Sequence, residues 1–170
     1  MSETTLRSVN GQAAVSEYRG TSDQIKQSIA GLSDRQLAWK PAQDKWSVKE
    51  IIAHLVDSSL VHAVRIRKIA AESEPPFLLY DQDAWVRSSR SNEASLPGLL
   101  AAFDAVLACN LLWYERLDAR DWERAGLNNG KEVTIADLFH GFIRHVTIHL
   151  AQIERTKAAY GERSGGKDGS

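Results

Sequence analysis

The chain has 170 residues, a formal net charge of −1 and 25% charged residues. This length suits one domain with a substantial core and is short for two. Because positive charge is not in excess, no global field draws the protein to nucleic acid or to a membrane surface, and polyanion binding is disfavoured. The single cysteine, Cys109, excludes an internal disulfide and a multi-cysteine metal site, which fits a reducing cytoplasm. Cys109 lies in a predicted helix, where we expect a buried small hydrophobe.

Both ends of the chain are polar. We expect residues 1–10 to be a flexible segment and residues 161–170 to be a disordered tail, which leaves a single domain over residues 11–160. We expect no apolar run to reach the length of a membrane span, and the amino end lacks the apolar core of a signal peptide. The sequence therefore predicts a soluble, cytoplasmic protein.

Two long helices are predicted in the first half of the chain. Apolar residues at three- and four-residue spacing indicate a helix over residues 12–32. The segment Ser33–Gln36 has capping-box spacing and predicts a short helical turn. The segment Ser47–Glu50 is a second capping box, and the helix that it opens should run to about residue 72, because a Pro-Pro pair follows.

The second half of the chain predicts two more helices and no convincing strand. Residues 75–94 show no clean period but carry aromatic and acidic residues, as functional loops do. A third helix is predicted over residues 95–118, with a proline in its permitted first turn. Residues 119–132 are polar and contain an Asn-Asn-Gly turn signature, and a fourth helix should follow from Thr134 to the residue before Gly161. Four amphipathic helices predict an all-α, antiparallel four-helix bundle.

Three histidines lie on the apolar faces of the predicted helices. His145 and His149 are four residues apart in the fourth helix, so their side chains share one face, one turn apart. His54 lies in an apolar run of the second helix. Buried imidazoles need partners, and three of them can bind one zinc-like ion while leaving a coordination position free. Alternatively, each imidazole hydrogen-bonds a carbonyl or carboxylate, or His149 is exposed.

The remaining histidines and two nearby polar residues have simpler interpretations. His62 lies about 12 Å along the helix from His54, and His140 points to another side of its helix, so both are expected to be partly exposed polar residues. Asp57 could orient a ligand imidazole or pair with a nearby lysine or arginine. Gln152 could face the metal cavity or be a surface amide.

Two motifs carry a family resemblance: Trp46-Ser-Val-Lys-Glu50 leading to His54-Leu-Val-Asp57-Ser, and His145-x-x-x-His149-x-x-Gln152-Ile153. They resemble the DinB-like superfamily and, within it, the YfiT-type metal-dependent hydrolases. The segment 76–85 is similar to a loop of that branch, whereas Ile148 and Gln152 stand where the branch tends to have further histidines. The resemblance implies an up-down-down-up four-helix bundle and a divalent ion, zinc in preference to nickel, held by His54, His145 and His149.

The resemblance also implies a metal-dependent enzyme, because characterised relatives include thiol S-transferases with bacillithiol-type cofactors and a mycothiol-dependent isomerase. We therefore expect a thiol S-transferase or a hydrolase with a small-molecule substrate, a low-molecular-weight thiol as co-substrate, and a homodimer. Arg65 is the candidate substrate-binding residue for an anionic group, and a surface salt bridge is the alternative. The competing hypothesis is a non-catalytic stress-related or interaction protein with a structural metal ion.

Overall fold

The computed structural model describes residues 3–72 and 76–165. The elements, in chain order, are α1 (Glu3–Ser28), α2 (Asp34–Ala38), α3 (Val48–Ala71), α4 (Gln82–Ser88), a 3₁₀ turn (Ser91–Glu93), α5 (Leu96–Tyr114), α6 (Ala119–Glu123), β1 (Ala125–Asn128), β2 (Lys131–Thr134) and α7 (Ile135–Gly165). The long helices α1, α3, α5 and α7 form the predicted four-helix bundle.

Side-chain contacts fix the direction of each long helix. The pairs are Tyr18–Phe139 and Ser28–Lys157 between α1 and α7, His62–Phe142 and His54–His149 between α3 and α7, and Lys26–Asp104 and Arg19–Glu115 between α1 and α5. Along α1 and α7 the numbers of the contacting residues rise together. Between α3 and α7, and between α1 and α5, one number rises as the other falls. Helices α1 and α7 therefore run one way and α3 and α5 the other, which confirms the up-down-down-up arrangement.

The core is aromatic where α1, α5 and α7 meet. Tyr18 of α1 is fully buried, stacks on Phe139 at 5.2 Å between ring centroids, and meets Tyr114 edge-on at 5.5 Å. Such offset and edge-to-face pairs are favoured by the ring quadrupoles, by about 0.5–1.5 kcal/mol beyond the area that they bury. The aromatic cluster therefore sets how closely these helices approach.

The beginning of α3 is fixed by the predicted capping box. The hydroxyl of Ser47 accepts a hydrogen bond from the Glu50 amide at 3.1 Å, and a carboxylate oxygen of Glu50 accepts one from the Ser47 amide at 2.8 Å. Lys40 pairs with the other carboxylate oxygen of Glu50 at 3.1 Å. The Ser47 hydroxyl also bonds the side-chain oxygen of Asn92 at 2.6 Å, which ties the 3₁₀ turn to this helix end. Glu50 and Ser47 are both buried, so the first turn of α3 is held firmly.

The expectation of an irregular loop over residues 75–94 was wrong in its middle and later parts. Helix α4 forms there because Asp81 caps it, its carboxylate accepting a hydrogen bond from the Ala84 amide at 2.9 Å. The helix has only seven residues, which is too short to show a clear amphipathic period in the sequence.

The expectation of no strands was also wrong. Strands β1 and β2 pair antiparallel over four residues each. Asn129 and Gly130 form the two-residue connection with φ of 51° and 78°, the left-handed conformation of a type I′ hairpin turn. The Asn-Gly signal was visible, but the sequences of the two strands do not alternate strictly between apolar and polar residues. The Phe77 amide donates to the Leu127 carbonyl at 3.1 Å, so the segment after residue 76 rests against this hairpin.

The terminal helices extend beyond their expected bounds. Helix α1 begins at Glu3 rather than near residue 12, and α7 continues through Gly161 to Gly165. A glycine costs a helix interior about 1 kcal/mol relative to alanine, which a helix held by its neighbours tolerates. The remaining part of the expected disordered tail, residues 166–170, lies outside the described residues.

Helix α5 corrects two expectations. It is long and apolar enough to cross a membrane by length and composition alone, with a mean hydropathy of 1.6, although core helices pass the same test. Its inner face buries Phe103, Leu107 and Tyr114. Cys109 is exposed rather than buried, because it lies on the outer side of α5, where Arg67 donates a hydrogen bond to its sulfur at 3.3 Å.

The expectation that His62 is partly exposed was wrong as well. Only 6% of His62 is exposed, and its Nε2 lies 2.6 Å from the hydroxyl of Tyr114. Burial lowers the pKa of His62 to about 3 and raises the pKa of Tyr114, so the neutral imidazole accepts a hydrogen bond from the phenol. Eight residues rotate a helical side chain by about 80°, which turns His62 from the side of α3 that carries His54 towards the bundle axis.

This pairing predicts an acid-sensitive fold. Because the folded-state pKa of His62 is about 3 and its ordinary value is 6.5, the unfolded chain binds the additional proton. The contribution of His62 to stability is fully present above pH 6.5 and is lost as the pH falls towards 3, by up to roughly 1.4 kcal/mol per pH unit. The variant His62→Gln keeps an acceptor for Tyr114 but does not titrate. Its free energy of unfolding, measured in urea from pH 7 to pH 4, should fall less steeply than that of the wild type.

The same substitution at the exposed His140 is the matched control for loss of a surface imidazole. Equal slopes for the wild type and His62→Gln would contradict the assignment of a neutral, buried His62.

A candidate metal centre of three histidines

The three predicted histidines meet where α3 packs against α7. The Nε2 atom of His145 lies 3.1 Å from that of His54 and 3.0 Å from that of His149. One ring nitrogen from each residue lies within 4.8 Å of the others. His54 and His149 are buried, and His145 is half-buried. The structure thus brings together the residues predicted from helical spacing and from the family resemblance.

The donor set fits a tetrahedral divalent ion. Imidazole nitrogens bind zinc at about 2.0–2.1 Å, so two ligands of a tetrahedral site lie roughly 3.3 Å apart. The two measured separations between Nε2 atoms, 3.1 and 3.0 Å, are close to this value. Three neutral nitrogen ligands also leave one coordination position free, which is the pattern of catalytic rather than structural zinc sites.

The electrostatics keep these imidazoles neutral, as metal binding requires. Burial, reinforced by the neighbouring histidines, lowers the pKa of His54 to about 3 and that of His145 to about 4. Burial also lowers the pKa of His149, and a hydrogen bond with Gln152 opposes that shift. At neutral pH all three rings therefore carry a free nitrogen lone pair.

Trp46 covers two of the three rings. Its indole lies 4.9 Å from the ring of His54 and is nearly parallel to the ring of His149, at 6.1 Å and 17°. The Nδ1 atom of His54 is buried and, among the described residues, has no hydrogen-bond partner. Asp57 therefore does not orient this imidazole, which was one of its two expected roles. Packing against Trp46 holds His54 in place.

His149 is held differently. Its Nδ1 lies 2.8 Å from the side-chain oxygen of Gln152, one turn further along α7. Of the two expectations for Gln152, the structure supports the one in which it faces the cavity. Its contact is with the ligand ring itself.

The centre opens on one side to a pocket of about 260 Å³. The residues that line it are Asp44, Lys45, Trp46, Gln82, Asp83, His149 and Gln152. They come from the segment before α3, from the first turn of α4 and from α7. Asp83 and Gln82 belong to the segment 75–94, whose acidic and aromatic residues are typical of a functional loop. Asp44 and Lys45 were not anticipated, because their sequence neighbourhood carries no pattern that marks a pocket.

Arg65 is not among these lining residues. Its Nε and Nη2 atoms donate to the Leu78 carbonyl at 3.2 and 2.7 Å, and its guanidinium lies 5.3 Å from the centre of the Phe77 ring. It therefore anchors the segment after residue 76 to α3. A role in substrate binding stays a prediction.

Comparisons with known proteins agree with this architecture. The family model of the DinB superfamily matches residues 17–153. YfiT of Bacillus subtilis, assigned as a metal-dependent hydrolase, is 30% identical over 77 residues, or 45% of this chain and 43% of YfiT. A protein of Bacillus licheniformis with the same assignment is 22% identical over 142 residues, or 81% of this chain and 79% of that protein.

Two solved structures share the fold. YfiT from Bacillus subtilis, described as an unusual four-helix bundle, matches with a TM-score of 0.83 and 20% identity over 95% of this chain and 90% of that one. A mycothiol-dependent maleylpyruvate isomerase matches with a TM-score of 0.68 and 12% identity over 84% of this chain, which spans 60% of the isomerase.

The segment matched by the family model covers most of the bundle and includes all three histidines. The chain has four long helices in the up-down-down-up arrangement and matches this family model, so it belongs to the DinB superfamily.

Proposed function

We propose that the protein is a metal-dependent enzyme that binds one divalent ion through His54, His145 and His149 and acts on a small molecule, by thiol transfer or by hydrolysis. The observation that carries the proposal is the convergence of three neutral imidazoles, with Nε2 separations of 3.0 and 3.1 Å, beside an open pocket. Zinc suits this donor set better than nickel. Zinc has no geometric preference from its d electrons and commonly takes tetrahedral sites, whereas nickel is typical of square-planar or tetragonal sites.

The ion would supply a nucleophile at neutral pH, by lowering the pKa of a thiol or water at its free position. The chain's own residues would then hold the ion and orient the substrate. The imidazoles stay neutral through burial, and Trp46 shields two of them on one side. Lys45 and Asp83 place charges of both signs at the pocket wall, where they can orient a polar substrate.

Thiol transfer is the first activity to test. The isomerase with the same fold is mycothiol-dependent, and a soft thiolate is a suitable ligand for zinc. Hydrolysis is supported by the assignment of YfiT and its relatives as metal-dependent hydrolases. Both reactions place their nucleophile at the same free coordination position.

The alternative is a non-catalytic stress-related or interaction protein with a structural ion. Structural zinc sites are closed by four protein ligands. The described residues supply a group of three ligands, and one of these, His149, lines the pocket. This arrangement favours the enzyme.

The proposal also includes three further expectations from the sequence. They are a homodimer, a cytoplasmic location and binding of an anionic substrate group by Arg65. Because Nε and Nη2 of Arg65 donate to the Leu78 carbonyl, binding of a substrate group would fall to its Nη1 atom.

Metal content tests the ligand set directly. Freshly purified protein should carry about one divalent ion per chain by elemental analysis. His149→Ala removes one of three ligands and should reduce the content to below roughly a tenth of an ion per chain, since two imidazoles do not retain zinc through purification. His140→Ala, an exposed histidine on the same helix, is the matched control and should keep the wild-type content. Unchanged metal in a folded His149→Ala protein would rule out the proposed site.

A thiol-conjugation assay tests the activity. Bacillithiol or cysteine is offered with a chromogenic aryl halide, and conjugation is followed with native, chelator-treated and zinc-restored protein. Removal of the ion should reduce the enzymatic rate on the order of a hundredfold, and zinc should restore it, because the nucleophile depends on the ion. If the chelator lowers the melting temperature but native protein never accelerates conjugation or ester hydrolysis, the structural-metal alternative is correct.

A further inference from the structure

Gln152 makes a contact that the metal-ligand set does not require. Its side-chain oxygen lies 2.8 Å from Nδ1 of His149, the ring nitrogen on the other side from the shared centre. Gln152 is half-buried and lines the pocket beside His149. By contrast, Nδ1 of His54 is buried with no hydrogen-bond partner in the described part of the chain. The ligand rings are therefore supported unequally.

The contact determines which nitrogen of His149 carries the proton. The amide oxygen of glutamine only accepts hydrogen bonds, so Nδ1 must donate and therefore carries the hydrogen of the neutral ring. The Nε2 atom then keeps its lone pair, and Nε2 is the atom that lies 3.0 Å from His145 at the common centre. The hydrogen bond thus selects the tautomer that a metal ion needs.

We propose that Gln152 is a positioning residue, which rests on the proposed function: it fixes the tautomer and the ring orientation of His149 for metal binding. Histidine ligands in metalloproteins usually donate their second N–H to a carboxylate or carbonyl, and loss of that partner typically weakens metal affinity by about 10–100-fold. Here an amide on the same helix provides the acceptor, three residues after the ligand.

Two substitutions separate the hydrogen bond from the packing of the side chain. Gln152→Leu removes the acceptor and keeps a side chain of similar volume. Gln152→Glu keeps an acceptor oxygen at the same position, and the carboxylate is a stronger acceptor than the amide. Gln152→Met, with an unbranched chain of similar length, is a second acceptor-free variant in case the leucine disturbs packing. Gln27→Leu repeats the substitution at an exposed glutamine of α1 and is the matched control.

The experiment measures zinc affinity of the full chain by competition with a chromogenic chelator at fixed pH. Gln152→Leu and Gln152→Met should bind zinc about 10–100-fold more weakly than the wild type. Gln152→Glu should bind at least as tightly as the wild type, and Gln27→Leu should match it. Nitrogen-15 spectra of the imidazoles, recorded on metal-free protein, should show His149 protonated at Nδ1 in the wild type and a mixture of tautomers in Gln152→Leu.

Each outcome has a separate meaning. If the wild type binds zinc and Gln152→Leu binds it with the same affinity, the positioning role is overturned and the proposed function stands. Equal weakening by Gln152→Leu and Gln152→Glu, with unchanged tautomer signals, would also overturn it, because the effect would then follow packing rather than the acceptor. A wild-type chain that binds no zinc would instead overturn the proposed function, and this inference with it.

Discussion

The site depends on how α3 lies against α7. Three imidazoles can share one point only if the two helices keep a fixed axial register, because a shift of one residue moves a side chain by about 1.5 Å and turns it by about 100°. Two features of the structure set that register. The capping box at Ser47 fixes where α3 begins, about two turns before His54, and the stacked aromatic rings around Tyr18 fix how deeply α7 sits in the bundle.

Burial has two different consequences in this bundle. At His62 it produces a neutral ring paired with Tyr114, a contact that is complete within the chain. At His54 and His145 it produces neutral rings whose Nε2 atoms face each other without an acid or a hydroxyl between them. The same physical effect therefore stabilises a closed polar pair in one place and a group of converging ring nitrogens in another. That difference distinguishes a core histidine from a candidate metal ligand.

The long helices and the three candidate ligands could be predicted from the sequence because both follow from one periodicity. His145 and His149 share the apolar face of a helix, and the capping boxes mark where helices begin. The family resemblance added the neighbouring placement of α3 and α7, which spacing alone does not contain. Helix α4 was missed because its seven residues are fewer than the window in which a helical period can be recognised. The hairpin was missed because its two strands do not alternate strictly between apolar and polar residues. The environment of His62 was missed because its partner, Tyr114, is distant in sequence and reaches it only through the packing of α5.

The position of Trp46 constrains how this protein can diversify. One short stretch of chain, residues 44–47, lines the pocket, covers the rings of His54 and His149 and starts α3. A change there that suits a new substrate therefore also disturbs helix initiation and the packing of His54 and His149. The part of the lining that α4 supplies, Gln82 and Asp83, is exposed and lies outside this stretch. Adaptation to new substrates should therefore accumulate at the start of α4, while residues 44–47 stay nearly invariant among proteins that keep the three histidines.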